Sequence, residues 1–238
     1  MRFETTNWSV ILKARVGDSS AAREALGTLC ESYWPPVYAF IRGKGLSPTD
    51  AEDLTQAYFT RFLDKGYLHD FRPEVGRFRT FLRASVAHFL SNEWDRERAL
   101  KRGGGKPTLS LDELETVEGR FRAPADRVTP EVVFEREWAA SVLQRCLTRV
   151  RKEQDDTRGP GRFDALKPFL AGDGSPSSGY GEAARELGLE ESSVRVAVHR
   201  LRKRFAAILR EEVARTVADP GDVDGEIRWL LSAVRGLE

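Results

Sequence analysis

Apolar residues recur every three or four positions along most of this chain, and this spacing constrains the fold more than any other feature. Between positions 78 and 90 the apolar stripe consists of Phe78, Phe81, Leu82, Val86, Phe89 and Leu90. Side chains at this spacing lie on one face of an α-helix, whereas a half-buried strand needs strict alternation of apolar and polar residues. No stretch of strand length shows that alternation. The sequence therefore predicts an all-α fold.

Glycine, proline and acidic residues divide the chain into two parts. The chain has 238 residues, enough for two ordinary domains. After position 101 the helical pattern stops at three glycines, Gly103 to Gly105, and residues 112–137 contain eight acids against four arginines. Such a composition is typical of a linker. We expect four segments: a helical domain over 1–101, a flexible acidic linker over 102–129, a second helical domain over 130–215 and an extension helix over 216–238.

Helix breakers and capping residues predict where the helices begin and end. Pro35 and Pro36 are expected to end a first helix, because proline removes a backbone donor and clashes with the preceding turn. Ser47 is expected to cap a later helix, and Ser192 or Ser193 to cap another. The helices expected on these grounds cover residues 18–33, 37–42, 48–64, about 76–100, 130–153, 162–170, 182–187, the segment after Ser193, and 223–234, with loops at 157–160 and 172–179.

The net charge of +1 hides an uneven distribution of charge along the chain. Residues 193–210 contain six basic residues and no acid, and residues 94–106 contain five basic residues against two acids. Residues 211–238, in contrast, contain seven acids against three arginines. Two basic segments thus alternate with two acidic ones, which indicates two separate surfaces for a nucleic-acid backbone.

The basic segment at residues 193–210 belongs to a predicted helix-turn-helix. A short helix ends at Gly188, which can adopt the positive φ of a tight turn, and Val194 begins the buried stripe of the next helix. The side chains expected to contact DNA lie on the other faces of that helix: Ser192, Ser193, Arg195, Val196, His199, Arg200, Arg202 and Lys203. Guanidinium groups can pair with guanine in the major groove, and lysine binds phosphates. This pattern predicts binding to double-stranded DNA.

The basic segment at residues 94–106, together with Phe89 and Trp94, interleaves aromatic and basic residues. Single-strand binding surfaces have this composition because they stack unpaired bases and neutralise phosphates. Phe89 is expected to lie in the core. The residues expected at this surface are Asn92, Trp94, Arg96, Arg98, Lys101 and Arg102.

Other classes of protein are excluded by what the sequence lacks. His69, His88 and His199 are not at metal-ligand spacing, and no glycine-rich phosphate loop occurs. We expect no enzyme activity, no metal and no cofactor. The two cysteines, Cys30 and Cys146, are expected to be buried small hydrophobic residues. No run of about 20 apolar residues and no secretion signal is present, so we expect a cytoplasmic protein without a membrane partner.

Three motifs together resemble RNA polymerase sigma factors of the extracytoplasmic-function type. Residues 51–59, AEDLTQAYF, are similar to the helix by which these factors bind the polymerase β′ clamp. Residues 76–82, GRFRTFL, are similar to the start of the helix that melts and recognises the minus-ten promoter element. The predicted helix-turn-helix resembles the domain that binds the minus-thirty-five element. The long linker and the C-terminal extension are similar to those of one subgroup of the family.

The resemblance implies partners and roles for individual residues. The implied partners are core RNA polymerase, through its β′ clamp and β flap, and double- and single-stranded promoter DNA; a separate anti-sigma protein is a further possible partner. For polymerase binding it implies Glu52, Asp53, Leu54, Gln56 and Phe59. For the minus-ten element it adds Arg77 and Arg79 to the single-strand surface. Phe89 and Glu93 stand where many members have Asn and Asp, so the base contacted there stays open.

Two alternatives remain on the sequence alone. A conventional helix-turn-helix activator or repressor would use residues 1–110 as an effector or dimerisation domain, but it has no need of a single-strand surface. A protein-interaction module would leave the basic helix unexplained. For the acidic extension there are also two hypotheses: it packs on the basic helix and restrains DNA binding, or it is simply a docked terminal helix.

Overall fold

The computed structural model describes residues 20–64, 71, 77–101, 129–170, 179–217 and 219–235. These residues form α-helices and two short 3-10 helices, with no strand among them, so the predicted all-α fold is confirmed. The helices are α1 (Ser20–Arg42), α2 (Pro48–Asp64), α3 (Phe78–Lys101), α4 (Pro130–Arg158), α5 (Arg162–Leu166), α6 (Gly179–Leu187), α7 (Glu191–Ala214) and α8 (Val223–Arg235). The predicted linker lies outside the described residues, apart from Thr129.

The prediction that Pro35 and Pro36 end a helix is wrong, because α1 continues through both prolines. Proline in a helix costs about 3 kcal/mol. Buried side chains on both sides of the pair belong to the same core: Leu29 and Tyr33 before it, Val37 and Phe40 after it. Their shared packing against α4 outweighs the lost backbone hydrogen bonds.

Other helix ends follow local signals. Ser47 caps α2 as predicted: its hydroxyl accepts a hydrogen bond from the Asp50 backbone N–H at 3.1 Å. Thr129 caps α4 in the same way, at 3.3 Å from the Val132 N–H. The α4 helix continues beyond residue 153 and into the predicted loop at 157–160, and ends before Gly159, whose φ is +86°.

Three further predicted boundaries need correction in the second half. The α6 helix begins at Gly179, three positions before its predicted start. The segment 162–170 divides into α5 and a 3-10 helix, Lys167–Phe169. The α7 helix begins at Glu191, so neither Ser192 nor Ser193 is its N-cap. Glu190 takes that place with extended backbone and no side-chain cap hydrogen bond, and the two serines are exposed in the first turn. The last helix, α8, agrees closely with the predicted amphipathic segment.

One hydrophobic core spans both predicted domains. The α1 helix packs along α4, and the ring of Phe40 meets the ring of Phe134 edge-on at 6.3 Å. Gly43, just after α1, lies close to Pro130: a Cβ atom added at Gly43 would be 3.2 Å from the Cα of Pro130. The α4 helix also packs against α7, and α8 covers both. The division into domains stays a prediction, since the segments on either side of the linker share this core.

Candidate functional site

The outer face of α2 presents polar side chains beside a shallow groove. Glu52, Asp53 and Gln56 are exposed, as the predicted polymerase-binding surface requires. The groove has a volume of about 440 Å³ and is lined by Asp53, Gln56, Ala57, Thr60, Arg61 and Asp64. On the opposite face, Ala51, Tyr58 and Phe62 are buried, which fixes the rotation of the helix. The packing of α2 therefore leaves Asp53 and Gln56 on its outer face.

Apolar side chains border this face, and sequence reasoning assigned only some of them. Leu54 is half-buried, and Phe59 is only 4% exposed, so Phe59 supports the surface from below. The ring of Trp34, on α1, stacks on Phe59 with centroids 5.7 Å apart and is itself 36% exposed. Leu63, one helical turn beyond Phe59, is 41% exposed. Exposed apolar rings are the signal that points to Trp34 as an additional contact residue.

The end of α3 presents the predicted single-strand surface with much of its charge already paired. Arg96 lies 3.1 Å and Arg98 lies 3.9 Å from carboxylates of the same helix, Glu93 and Asp95. Asn92 and Trp94 are half-buried, and Trp94 packs against the core. The prediction that Phe89 is a core residue is confirmed by its 4% exposure. The side chain of Lys101 and all of Arg102 lie outside the described residues.

Arg77 and Arg79, at the start of α3, have different environments. The side chain of Arg77 is 43% exposed, but that of Arg79 is only 5% exposed. The Arg79 guanidinium donates to Glu135 of α4 at 2.9 Å and to Glu226 of α8. The same guanidinium lies over the rings of Trp138 and Trp229, 4.4 and 4.0 Å from their centroids. In this conformation Arg79 is closed off from any DNA ligand.

The turn between α6 and α7 has the geometry that the sequence predicted for Gly188. Gly188 has a φ of +63°, and the Leu189 N–H donates to the Ala184 carbonyl at 2.9 Å. This pattern is a Schellman motif, which ends a helix with glycine in the left-handed region. Val194 is fully buried directly after the turn. The two helices are thus fixed relative to each other by one turn and one buried side chain.

The exposed face of α7 contains the predicted DNA-binding residues. Ser192, Ser193, Arg195, Val196, His199, Arg200, Arg202 and Lys203 are all exposed. Arg195 lies 4.5 Å over the Tyr180 ring, and Arg202 donates to the Phe169 carbonyl at 2.8 Å, so both are held in place. His199, Arg200 and Lys203 make no ion pair with any described residue and point to solvent.

A basic groove of about 560 Å³ runs between α7 and the end of α4. Its lining combines Ser192, Ser193, Val196 and Arg200 of α7 with Arg158 and Arg162 from outside that helix. Sequence reasoning missed Arg158 and Arg162 because they lie about 30 positions before α7. Arg158 lies in a predicted loop and Arg162 begins a short predicted helix, and neither position indicates a contact with DNA. Only the fold places them beside α7.

Arg204 also lines this groove, but its guanidinium is already paired with carboxylates. It donates two hydrogen bonds to Glu153 of α4, at 2.7 and 2.8 Å. The Arg204 guanidinium lowers the pKa of the Glu153 carboxyl. This pair therefore joins α7 to α4 and contributes no free charge to the groove.

The described residues also bear on metal binding, thiol chemistry and membrane insertion. No group of three or more His, Cys, Asp or Glu residues that could hold a metal ion occurs among them. Burial raises the pKa of Cys30 to about 11 and that of Cys146 to about 12, so neither thiol is a nucleophile at neutral pH. Cys146 is buried as predicted, whereas Cys30 is half-buried. None of the described helices has both the length and the apolar character needed to cross a membrane.

Comparison with known families gives one match, at residues 29–99, to the family model of sigma-70 region 2. The match supports a sigma-70 family factor. It covers most of α1, all of α2 and nearly all of α3, so the polar face of α2 and the basic end of α3 both lie within the region 2 segment. Region 2 implies core RNA polymerase and promoter DNA as partners, and a role in transcription initiation. A search of curated proteins and a search of solved structures found no match.

Proposed function

We propose that this protein is an alternative sigma factor of the extracytoplasmic-function type, which binds core RNA polymerase and directs it to specific promoters. The proposal rests on the exposed Asp53 and Gln56 of α2 within the segment that matches sigma-70 region 2. In this role α2 binds the β′ clamp through a polar groove with an apolar border formed by Trp34 and Leu63. Aromatic residues beside polar contacts are typical of the centres of protein interfaces.

Promoter recognition then involves two surfaces. The end of α3 contacts the minus-ten element through its aromatic and basic side chains. The α6 and α7 helices act as a helix-turn-helix that inserts α7 into the major groove of the minus-thirty-five element, next to the polymerase β flap. Because Val196 is half exposed and apolar, it fits a thymine methyl group better than a hydrogen-bonding base edge. Arg158 and Arg162 extend this surface towards the phosphates.

Polymerase binding is tested with a double variant, Asp53→Ala/Gln56→Ala, and labelled core polymerase. Loss of two central contacts should weaken binding about tenfold or more. The matched control, Gln144→Ala/Asp156→Ala, removes the same two side-chain types from α4 and should bind like the unmodified chain. Equal affinity for all three proteins would contradict the docking role of α2.

A conventional activator or repressor would behave differently in the same experiment. It would bind a specific duplex with high affinity in the absence of polymerase, and the α2 variant would bind that duplex normally. Cytoplasmic location and control by a separate anti-sigma protein belong to the proposal as well.

A further inference from the structure

Five side chains from three helices form a cluster around a buried guanidinium, which we call the Arg79 cluster: Arg79 of α3, Glu135 and Trp138 of α4, and Glu226 and Trp229 of α8. Glu226 is fully buried, and Arg79 is 4% exposed. The second Glu226 oxygen, Oε2, lies 3.0 Å from Arg77 Nη2, although that N–H is not aligned for a hydrogen bond. Two glutamates and two indole rings thus enclose one guanidinium.

The members of the cluster come from opposite sides of the linker. Arg79 lies in the region 2 segment, at the start of the helix expected to contact the minus-ten element. The four residues that enclose it lie beyond residue 129, and Glu226 is 147 positions away from Arg79 in the sequence. The cluster therefore ties region 2 to the second half of the chain.

The enclosing groups resemble the ligand that they exclude. A carboxylate on a guanidinium takes the place of a phosphate, and an indole ring over a guanidinium takes the place of a stacked base. The first turn of α8, which is acidic, also pairs Asp224 with Arg210 of α7. Asp224 and Glu226 both lie in the first turn of α8, so this one turn contacts both of the proposed DNA-binding helices.

We propose that α8 holds the free protein in a closed, autoinhibited state, in which Glu226 and Trp229 occupy the guanidinium that the minus-ten DNA would contact. This inference rests on the proposed function. Binding to promoter DNA requires the Arg79 cluster to open and α1 to separate from α4. The free chain consequently has low affinity for promoter DNA until polymerase stabilises the open state.

The dimensions of a promoter support the need for opening. The minus-ten and minus-thirty-five elements lie roughly 25 base pairs apart, or about 85 Å along B-DNA. The α4 helix, the longest one described, has 29 residues and a length of about 44 Å. With α1 packed along α4, we expect the two surfaces to lie too close together to reach both elements. A linker over residues 102–129 can span up to about 90 Å when extended, which is sufficient once the core opens.

The first test compares Glu226→Gln with the unmodified protein in binding a fluorescein-labelled, mixed-sequence single-stranded DNA of about 20 nucleotides. Loss of the carboxylate should raise the affinity about tenfold, because a larger fraction of molecules is open. Asp222→Asn removes the same charge from an exposed position of the same segment and should leave the affinity unchanged. An unchanged affinity for Glu226→Gln, or an equal rise for both variants, would overturn the proposal.

The second test prevents opening with a disulfide and does not depend on how Glu226→Gln folds. In Gly43→Cys/Pro130→Cys, the new Cβ atoms lie close enough for a bridge between the end of α1 and the start of α4. The raised pKa of each native thiol keeps Cys30 and Cys146 out of the reaction. The oxidised protein should lose at least about nine-tenths of its promoter-directed transcription with core polymerase, and reduction should restore it.

The outcomes of the second test separate the two proposals. Equal transcription by the oxidised and reduced forms would overturn the closed state and leave the sigma-factor proposal intact. Failure of transcription by the reduced form and by the unmodified protein alike would contradict the proposed function itself, and the closed state as an inhibitory device would fall with it.

Discussion

At the scale of single residues, the ion pair between Glu153 and Arg204 shows how α4 orients α7. The carboxylate accepts both guanidinium hydrogen bonds, and Arg149 lies 3.5 Å away on the preceding turn of α4. Both partners remain about one-third exposed, so water screens much of their attraction. The main effect of the pair is to hold α7 in its orientation against α4.

We predict that Glu153→Gln lowers the free energy of unfolding by about 0.5 kcal/mol at pH 7. Because Arg204 lowers the pKa of Glu153 in the folded state, the stabilisation is complete above the unfolded value of about 4.3 and disappears as the pH falls through the folded value. Urea unfolding at pH 7 and at about pH 3 measures the difference. Glu186→Gln, at an exposed position, serves as the control; a loss from Glu153→Gln that is equal at both pH values would contradict this account.

A second prediction at this scale concerns the two thiols. Burial holds the pKa values of Cys30 and Cys146 at about 11 and about 12, so at pH 8 only on the order of one molecule in a thousand has a thiolate at Cys30. Ellman's reagent should therefore react slowly with the folded protein and rapidly with both thiols in urea. Rapid reaction of one thiol in the folded protein would contradict this account, because it would show that the packing around Cys30 in α1 or Cys146 in α4 opens in solution.

Arg158 and Arg162 lead to a third prediction, which tests the basic groove. Replacing both by alanine should weaken duplex binding about equally for all sequences and reduce the slope of log affinity against log salt concentration by about 2. The control, Arg149→Ala/Arg151→Ala, removes two arginines of α4 that are paired with carboxylates. Equal slopes for the two double variants would remove Arg158 and Arg162 from the DNA surface.

At the scale of helices and turns, the turn between α6 and α7 depends on the backbone conformation of Gly188. Its φ of +63° lies in the left-handed region, and no heavy atom lies within 4 Å of a Cβ built there. A substitution would therefore cost backbone strain and not a steric clash. The Schellman motif at this glycine sets the angle between α6 and α7.

We predict that Gly188→Ala lowers the free energy of unfolding by about 1 kcal/mol. Gly188→Asn should lose less, since asparagine tolerates the left-handed region better than alanine does. Thermal or urea unfolding of the three proteins measures both changes. Alanine and asparagine variants of equal stability would show that backbone strain does not determine the result.

The helices also show which parts of the fold a sequence can predict. The bounds of α2 and the turn at Gly188 follow from residues that act on their own neighbours, Ser47 and Gly188 itself. The continuity of α1 through Pro35 and Pro36 could not be predicted, because it depends on packing against α4, about 100 positions later. The burial of Arg79 is similar: its sequence neighbourhood shows a charge, while Glu226, which neutralises it, is 147 positions away.

At the scale of the whole molecule, the α1–α4 interface holds the parts of the chain before and after the predicted linker together. It joins the segment that matches region 2 to α4, which packs against α7 with its exposed basic residues. The same aromatic residues that stabilise this interface, among them Phe40 and Phe134, would have to separate for simultaneous contact with both promoter elements. In the proposed closed state, stability of the free chain and activity in the polymerase complex would therefore be in opposition.

Run-off transcription with purified core polymerase on a pool of promoter fragments from the same genome tests the central claim most directly. The account predicts discrete transcripts that depend on this protein and are lost with Asp53→Ala/Gln56→Ala but retained with Gln144→Ala/Asp156→Ala. Sequence-specific duplex binding without any dependent transcript would contradict the account and favour a conventional helix-turn-helix regulator.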